Sequence, residues 1–244
     1  MTNPEVRVFK GLNELSRAAA KEFTSLAQAS SPKAFVAALS GGSTPKRFCE
    51  LLATPEFSAK IPWPRVHIFQ VDERCVPPDD PRSNYRMMRE AMLAAFPAVH
   101  FHRMAAEEPD RSAASARYAA EIRETLGTAS GEWPRLDVIY LGMGDDGHTA
   151  SLFPGTTALA ERRLAVCPNY VAKLDMNRLT LTLPVLNAAK RVIFLVAGVG
   201  KAETLRQVLR APASAPAEYP AQLVQPESGS VTWYLDQAAA ARLT

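Results

Sequence analysis

The chain has 244 residues, 47% of them apolar, with a formal net charge of +3 at pH 7 and a pI near 8.8. That length suits one large α/β domain or two small ones and supplies a sizeable core. The basic residues are scattered, with no arginine–lysine block and no basic–aromatic interleaving, so nucleic acid is not expected as a partner. Cys49, Cys75 and Cys167 are odd in number and widely spaced, which gives neither a disulfide framework nor a zinc pattern. They fit a reduced, cytoplasmic protein with incidental thiols and no metal site. The opening Met1-Thr2-Asn3-Pro4-Glu5 lacks the basic region and apolar run of a secretory leader. No uninterrupted apolar run reaches bilayer-spanning length, so no membrane is expected.

Strand and helix patterns alternate along the chain. Residues 6–9 read as a short strand, and Leu12–Ala29 as an amphipathic helix with Leu12, Leu15, Ala19, Phe23 and Leu26 at helical spacing. Residues 34–39 form a continuous apolar run, as suits a strand covered on both faces. A helix over 45–52 follows, with Thr44 as N-cap and Pro45 at the first helical position. Residues 66–71 are the next strand, 83–95 a helix with Ser83 as N-cap, and Arg111–Leu126 a helix closed by Gly127. Strands are expected at 136–141, at 178–183 by alternation, and at Arg191–Val196. Helices over 201–209 and 236–241 end the pattern. The alternation predicts the α/β class: a mostly parallel sheet with helices on both faces. There is no internal repeat. The Ala/Pro-rich stretch 211–220 lies too near the end to divide the chain, so 1–244 reads as a single domain. The helix faces are taken up by the core, which favours a monomer.

Four loops near strand ends carry unusual polar content, and the carboxyl ends of strands are where open α/β sheets hold ligands. The first is Ser40-Gly41-Gly42-Ser43-Thr44-Pro45. Two glycines and two hydroxyls at a helix N-terminus make an anion cradle, since backbone N–H groups and the positive end of the helix dipole both favour a phosphate. The plainer reading is an ordinary capped turn. The run is not a Walker A loop, because the lysine–hydroxyl pair is missing, and Ser43 is not in a nucleophile elbow. The second loop, Val71-Asp72-Glu73-Arg74-Cys75-Val76-Pro77 followed by Ser83-Asn84, is either a surface charge cluster or one wall of a site.

The third loop is the most informative. The apolar residues 136–141 run into Gly142-Met143-Gly144-Asp145-Asp146-Gly147-His148, which presents an acid and a histidine side by side. The glycines match the dinucleotide fingerprint literally. That reading fails, because Pro154-Gly155 arrives where a long helix is needed and no acid ends a second strand about twenty residues on. A lone histidine is usually structural, whereas His148 on a glycine turn beside Asp146 is a candidate for proton transfer. The fourth loop, Gly198-Val199-Gly200-Lys201, opens a helix with a cation. Lys201 reads equally as a phosphate contact or a solvated helix residue, and Arg178 is similar.

Together these segments resemble the 6-phosphogluconolactonase family, which is related to the glucosamine-6-phosphate isomerase/deaminases. The matching segments are 39–45, 72–77 with Ser83-Asn84-Tyr85, 142–155, 178–184, 198–201, and the closing Trp233 with Asp236. They run in order over most of the chain. The resemblance implies a Rossmann-like α/β fold, no cofactor, and hydrolysis of a sugar phosphate, 6-phospho-D-glucono-1,5-lactone, to 6-phosphogluconate. It implies His148 as general base with Asp146 orienting or polarising it. Asp72 and Arg74 would line the site, and Ser43, Thr44, Arg178 and Lys201 would hold the phosphate. Gly41, Gly42, Asn84, Gly144 and Gly147 are further expected binding positions; Arg82 either reaches the substrate or sits in solvent. A lactone carbonyl is already electrophilic, so no covalent nucleophile is needed. Glycine-loop amides or Arg74 are the candidate oxyanion donors. The related deaminases carry a glutamate five residues after the histidine, where this chain has Phe153. A rival of another class is a sugar-phosphate sensor without turnover; such sensors sit beside a DNA-binding segment, and no helix-turn-helix pattern precedes Val6.

Overall fold

Strands that read as continuous apolar runs are buried on both faces, and their alternation sorts the core into two layers. The computed structural model describes residues 5–30, 33–96, 98–210 and 218–243. The chain begins with β1 (Glu5–Phe9), α1 (Leu12–Ala29), β2 (Phe35–Leu39), α2 (Ser43–Leu52), α3 (Pro55–Ser58) and β3 (Val66–Gln70). It continues through β4 (Asp72–Arg74), α4 (Asn84–Ala91), β5 (His100–His102), α5 (Arg111–Leu126), β6 (Val138–Leu141) and β7 (Val166–Val171). Then come β8 (Met176–Leu181), α6 (Leu183–Ala188), β9 (Arg191–Val196), α7 (Ala202–Arg210), β10 (Ser230–Asp236) and α8 (Gln237–Ala240).

Among the described residues, seven strands pair in parallel as one sheet in the order β1-β10-β9-β6-β2-β3-β5. Successive side chains of a strand point to opposite faces. In β9, Val192, Phe194 and Val196 therefore join one core layer, and Ile193 and Leu195 the other. The first layer takes in Ile122 of α5 and Leu205 of α7. The second takes in Leu15 and Phe23 of α1 and Phe48 of α2. Helices thus cover both faces, and each fully buried side chain of this size contributes about 1.5–3 kcal/mol. From β2 the chain moves outward through β3 to β5, and β6 then returns to the other side of β2. The carboxyl ends of β2 and β6 flank this reversal, the place where an open α/β sheet leaves a crevice.

Several boundaries differ from the sequence-based expectations. The second helix begins at Ser43, not Pro45, and its N-cap is Gly42 at φ +112°, with no side-chain cap. Thr44 therefore lies inside the helix, because the glycine makes the turn that a capping hydroxyl would otherwise secure. Ser83 does cap α4, accepting from the Arg86 amide, but the helix stops at Ala91, where Met92 leaves helical geometry. The expected strand over 178–183 is β8, ending at Leu181, since Pro184 cannot extend a ladder and instead opens α6. β8 lies outside the parallel sheet: with β4 and β7 it forms a small antiparallel sheet. Asp236 caps α8 through the Ala239 amide, and β10 before it was not anticipated. Residues 1–4, part of the segment inspected for a leader, and 211–217 of the Ala/Pro-rich stretch lie outside the described residues. No helix among the described residues is long and apolar enough to cross a membrane.

Phe194 is fully buried and stacks on Trp233, with ring centroids 3.9 Å apart and planes 3° from parallel. Phe194→Ala removes that stack and leaves a cavity between two central strands. It is expected to lower unfolding free energy by about 3–5 kcal/mol, measured as a shift in the urea midpoint at unchanged slope.

Candidate active site

A cleft of about 220 Å³ opens at the sheet reversal. Its walls come from the loops after β2, β6 and β9, and from β4, α4 and β8. Of the expected positions, it brings together Gly41, Gly42, Ser43, Thr44, Asp72, Arg74, Asn84, Gly144, His148, Arg178 and Lys201.

The β2 loop fits because it lacks side chains. A Cβ at Gly41 would meet Asn84 Oδ1 at 1.8 Å, so the glycine lets the tip of Asn84 pack against the backbone. With no side-chain cap on α2, its first amides are left for another acceptor. Beside them Ser40 Oγ is buried without a hydrogen-bond partner.

The second wall is organised by Glu73, which sequence reasoning had only counted as one of three charges. It is 3% exposed. Oε1 accepts from the Arg74 and Asn84 amides at 2.7 and 2.8 Å. Oε2 accepts from Gln70 Nε2, Ser83 Oγ and the Tyr85 amide at 2.8, 3.1 and 2.7 Å. This buried carboxylate ties β4 to the N-terminus of α4, where a negative charge is favoured. Asn84 then donates to the Asp72 carbonyl at 2.9 Å. Asp72, itself buried, accepts from Ser151 Oγ at 2.6 Å and faces Arg178 Nη1 at 3.7 Å. Antiparallel register sets Arg178 opposite Arg74, so two guanidiniums meet across β4 and β8. Burial pulls the Arg178 guanidinium below its ordinary value, Asp72 acts against that, and Arg74 adds to it. The Nε atoms of both arginines are buried with no hydrogen-bond partner in the protein.

The glycine turn after β6 creates the acid–histidine pair. The Gly144 amide donates to the His148 carbonyl at 2.8 Å, and the Gly147 amide to the Gly144 carbonyl at 3.1 Å. Both amides are thereby used within the turn, which removes these two from the candidate oxyanion donors. Gly147 sits at φ +70° with its Cα against Tyr219, supporting the turn from outside the cleft. Asp146 Oδ1 lies 2.5 Å from His148 Nδ1. That contact assigns the ring proton to Nδ1 and leaves the Nε2 lone pair without a partner among the described residues. The imidazole stacks on Phe153, centroid to centroid 3.9 Å. Burial pushes His148 below its ordinary value, against the opposing pull of Asp146 and Asp72. For Asp146, burial acts to raise the carboxyl, yet hydrogen bonds from Lys173 and His148 outweigh it and bring it to about 2. Lys173, whose ammonium contacts Asp146 Oδ2, was not foreseen. It arrives from the β7–β8 turn with no motif around it.

Two expected residues are placed differently. Lys201 lines the cleft but is paired with Asp145. Arg82 does not line it: its side chain is 60% exposed and bound to Asp80, and only its carbonyl reaches inward, to Arg74. An arginine beside an acid two residues away makes its own surface pair, so Arg82 is not drawn into the cleft.

Residues 11–233 match the family described as glucosamine-6-phosphate isomerases/6-phosphogluconolactonase. The chain is 44% identical over 213 residues to a 6-phosphogluconolactonase of Nostoc sp., covering 86% of this chain and 85% of that one. The crystal structure of 6-phosphogluconolactonase from Leishmania guyanensis superposes with a TM-score of 0.86 at 28% identity, covering all of both chains. A monomeric glucosamine-6-phosphate deaminase shares the fold, with a TM-score of 0.77 at 23% identity over 98% of this chain and 99% of that one. The chain belongs to the glucosamine-6-phosphate isomerase/6-phosphogluconolactonase family.

Glu73→Gln tests how the second wall is held. Whichever way the amide turns, its NH2 faces two or more donors. The substitution is expected to cost about 3 kcal/mol in urea unfolding, whereas Glu50→Gln, on the exposed face of α2, should stay within about 0.5 kcal/mol.

Proposed function

We propose that this site hydrolyses 6-phospho-D-glucono-1,5-lactone to 6-phosphogluconate, with His148 activating the attacking water. The observation that carries the reading is the Asp146–His148 contact: it leaves a neutral imidazole with its Nε2 lone pair available beside a cationic cleft. Nε2 takes a proton from water as the oxygen adds to the lactone carbonyl carbon. Asp146 holds the Nδ1 proton and stabilises the imidazolium that forms. The tetrahedral intermediate carries its charge on the former carbonyl oxygen, where Arg74 is the donor, a contact worth roughly 3 kcal/mol in comparable sites. Collapse expels the ring oxygen, which receives the proton from His148. No covalent enzyme intermediate is needed.

The phosphate lies at the opposite wall, on the uncapped α2 amides, Ser43, Thr44 and Lys201. A phosphate dianion outweighs the single, exposed carboxylate of Asp145 and recruits the Lys201 ammonium. Arg178 joins it or steadies Asp72. Anchoring the remote phosphate fixes the ring so that water and carbonyl meet in a reactive pose. We read the chain as one domain, because β1 pairs with β10 and the first and last strands among the described residues share one sheet, and we take it to act as a monomer. The free thiols Cys49, Cys75 and Cys167 fit a reducing cytoplasm.

The deaminase reading within the same family is disfavoured by Phe153. Ring opening and proton shuttling call for a further acid–base group near the histidine, and this buried phenyl ring transfers no proton.

The rate of 6-phosphogluconate formation, corrected for spontaneous lactone hydrolysis, tests the proposal. His148→Ala is expected to lower kcat by ~10²–10⁴-fold with a native unfolding midpoint. Near-normal activity in that variant would refute His148 as base, and ammonia release from glucosamine 6-phosphate by the wild type would favour the deaminase. The pH profile adds a signed expectation. His148 must be neutral to act and is held below its ordinary 6.5, so the acid limb of kcat/KM should fall with a midpoint below that value. Asp146, at about 2, stays ionised throughout that range.

A further inference from the structure

We propose that Lys173 is a positioning residue that clamps Asp146 onto His148, making the catalytic unit a Lys173–Asp146–His148 relay of contacts instead of an isolated pair. This rests on the reading of His148 as the base. Lys173 sits in the short turn Ala172–Leu174, which joins β7 to β8 with Val171 paired to Met176. The turn is set by its own geometry: Asp175 takes φ +43° and accepts from Tyr170 Oη at 2.7 Å. It projects Lys173 across the cleft rim to a residue 27 positions earlier in the chain.

Three contacts give the clamp its logic. The two oxygens of Asp146 are divided, Oδ1 to His148 Nδ1 and Oδ2 to the Lys173 ammonium. Oδ1 also accepts from the His148 amide at 3.2 Å, so the lysine is the anchor of the other oxygen and fixes the plane of the carboxylate on the histidine. The Lys173 ammonium also stands 5.5 Å from the centroid of Phe153, the ring on which His148 stacks. One buried phenyl ring thus supports the imidazole and attracts the cation that orients its partner.

The charges around the pair set the direction of the effect. His148 faces Asp146 and Asp72, which favour its protonated form, and Arg178, which opposes it. Asp146 faces His148 and Lys173. The ammonium offsets part of the Asp146 charge, so the imidazole feels a weaker anion and stays neutral. Removing the ammonium strengthens that pull and favours imidazolium. The same removal leaves the carboxylate held at Oδ1 alone, by the His148 ring and amide at 2.5 and 3.2 Å, so the imidazole is less firmly oriented while the charge stays beside it.

Lys173→Met is a mild change at a side chain 56% exposed, and an unchanged urea midpoint would show that the fold is kept. The expected result is a fall in kcat of about fivefold, the scale of a partly exposed ion pair, with KM unchanged. The acid limb of the pH profile should rise by about half a unit. Lys173→Arg, which keeps charge and reach, should restore both. An NMR titration of the His148 imidazole in the substrate-free protein gives a readout without turnover, and its midpoint should also rise in Lys173→Met. Unchanged kcat and unchanged midpoints would overturn the clamp. So would a raised KM with an unmoved acid limb, since Lys173 would then be touching substrate. If the wild type fails to hydrolyse the lactone, the functional reading falls, while the imidazole titration still decides whether Lys173 controls the pair.

Discussion

The whole site depends on the space that Gly144 leaves empty. A Cβ there would sit 2.0 Å from His148 Nδ1 and 2.8 Å from Asp146 Oδ1. Any side chain at 144 would drive the imidazole off the carboxylate or open the turn. The turn cannot open without loss, because the Gly144 amide and carbonyl both hold it closed. The five residues Gly144 to His148 thus follow a buried strand and set an acid beside a histidine. β6 delivers that turn to the sheet reversal, where the β2 loop stands opposite. The Asp146–His148 pair and the β2 loop come together because of strand order, not because of proximity in sequence.

Burial sets the character of each charge. Glu73 and Asp72 are adjacent in sequence and both buried, yet they have different tasks. Glu73 has every lone pair occupied by protein donors, so it acts as a bolt between β4 and α4. Asp72 accepts from Ser151 and faces Arg178 and Asn84, and these last two line the cleft. A buried carboxylate with five donors is committed to structure; one that shares its partners with a cavity is available to a ligand. The same contrast separates Arg82 from Arg74. Arg82 is neutralised on the surface by Asp80, whereas Arg74 is drawn inward beside Arg178.

The parts legible in the sequence were those with a local signature. Glycine pairs at strand ends, a serine cap before α4 and apolar runs long enough to cross a sheet all act over a few residues, and the fold follows them. The parts that were not legible depend on distant partners. β4 is three residues of charge, DER, and becomes a strand only because β8 pairs with it. β10 mixes Thr232, Trp233 and Tyr234, and its place between β1 and β9 is fixed by neighbours far away in the chain. Lys173 lies in a hairpin of which only one strand was anticipated, so nothing local distinguished it from a solvated lysine. Thr44 as N-cap was a reasonable reading of a hydroxyl before a proline, overridden by the wider backbone freedom of Gly42.

One further property connects stability to function. Ser40 Oγ, Arg74 Nε and Arg178 Nε are buried without hydrogen-bond partners in the protein, and all three residues line the same cleft. A buried donor left unmatched costs about 1–3 kcal/mol, and two guanidiniums set side by side across a strand pair add repulsion. A fold selected only for stability would replace such groups with apolar ones of similar size. Their cost is offset when an anion enters: each donor gains an acceptor, and the repulsion between the arginines becomes shared attraction to one charge. On the proposed reading, these donors and the paired arginines are what a sugar phosphate would engage; Ser16, Arg111, Ser115 and Asn169 also carry partnerless buried atoms but do not line the cleft.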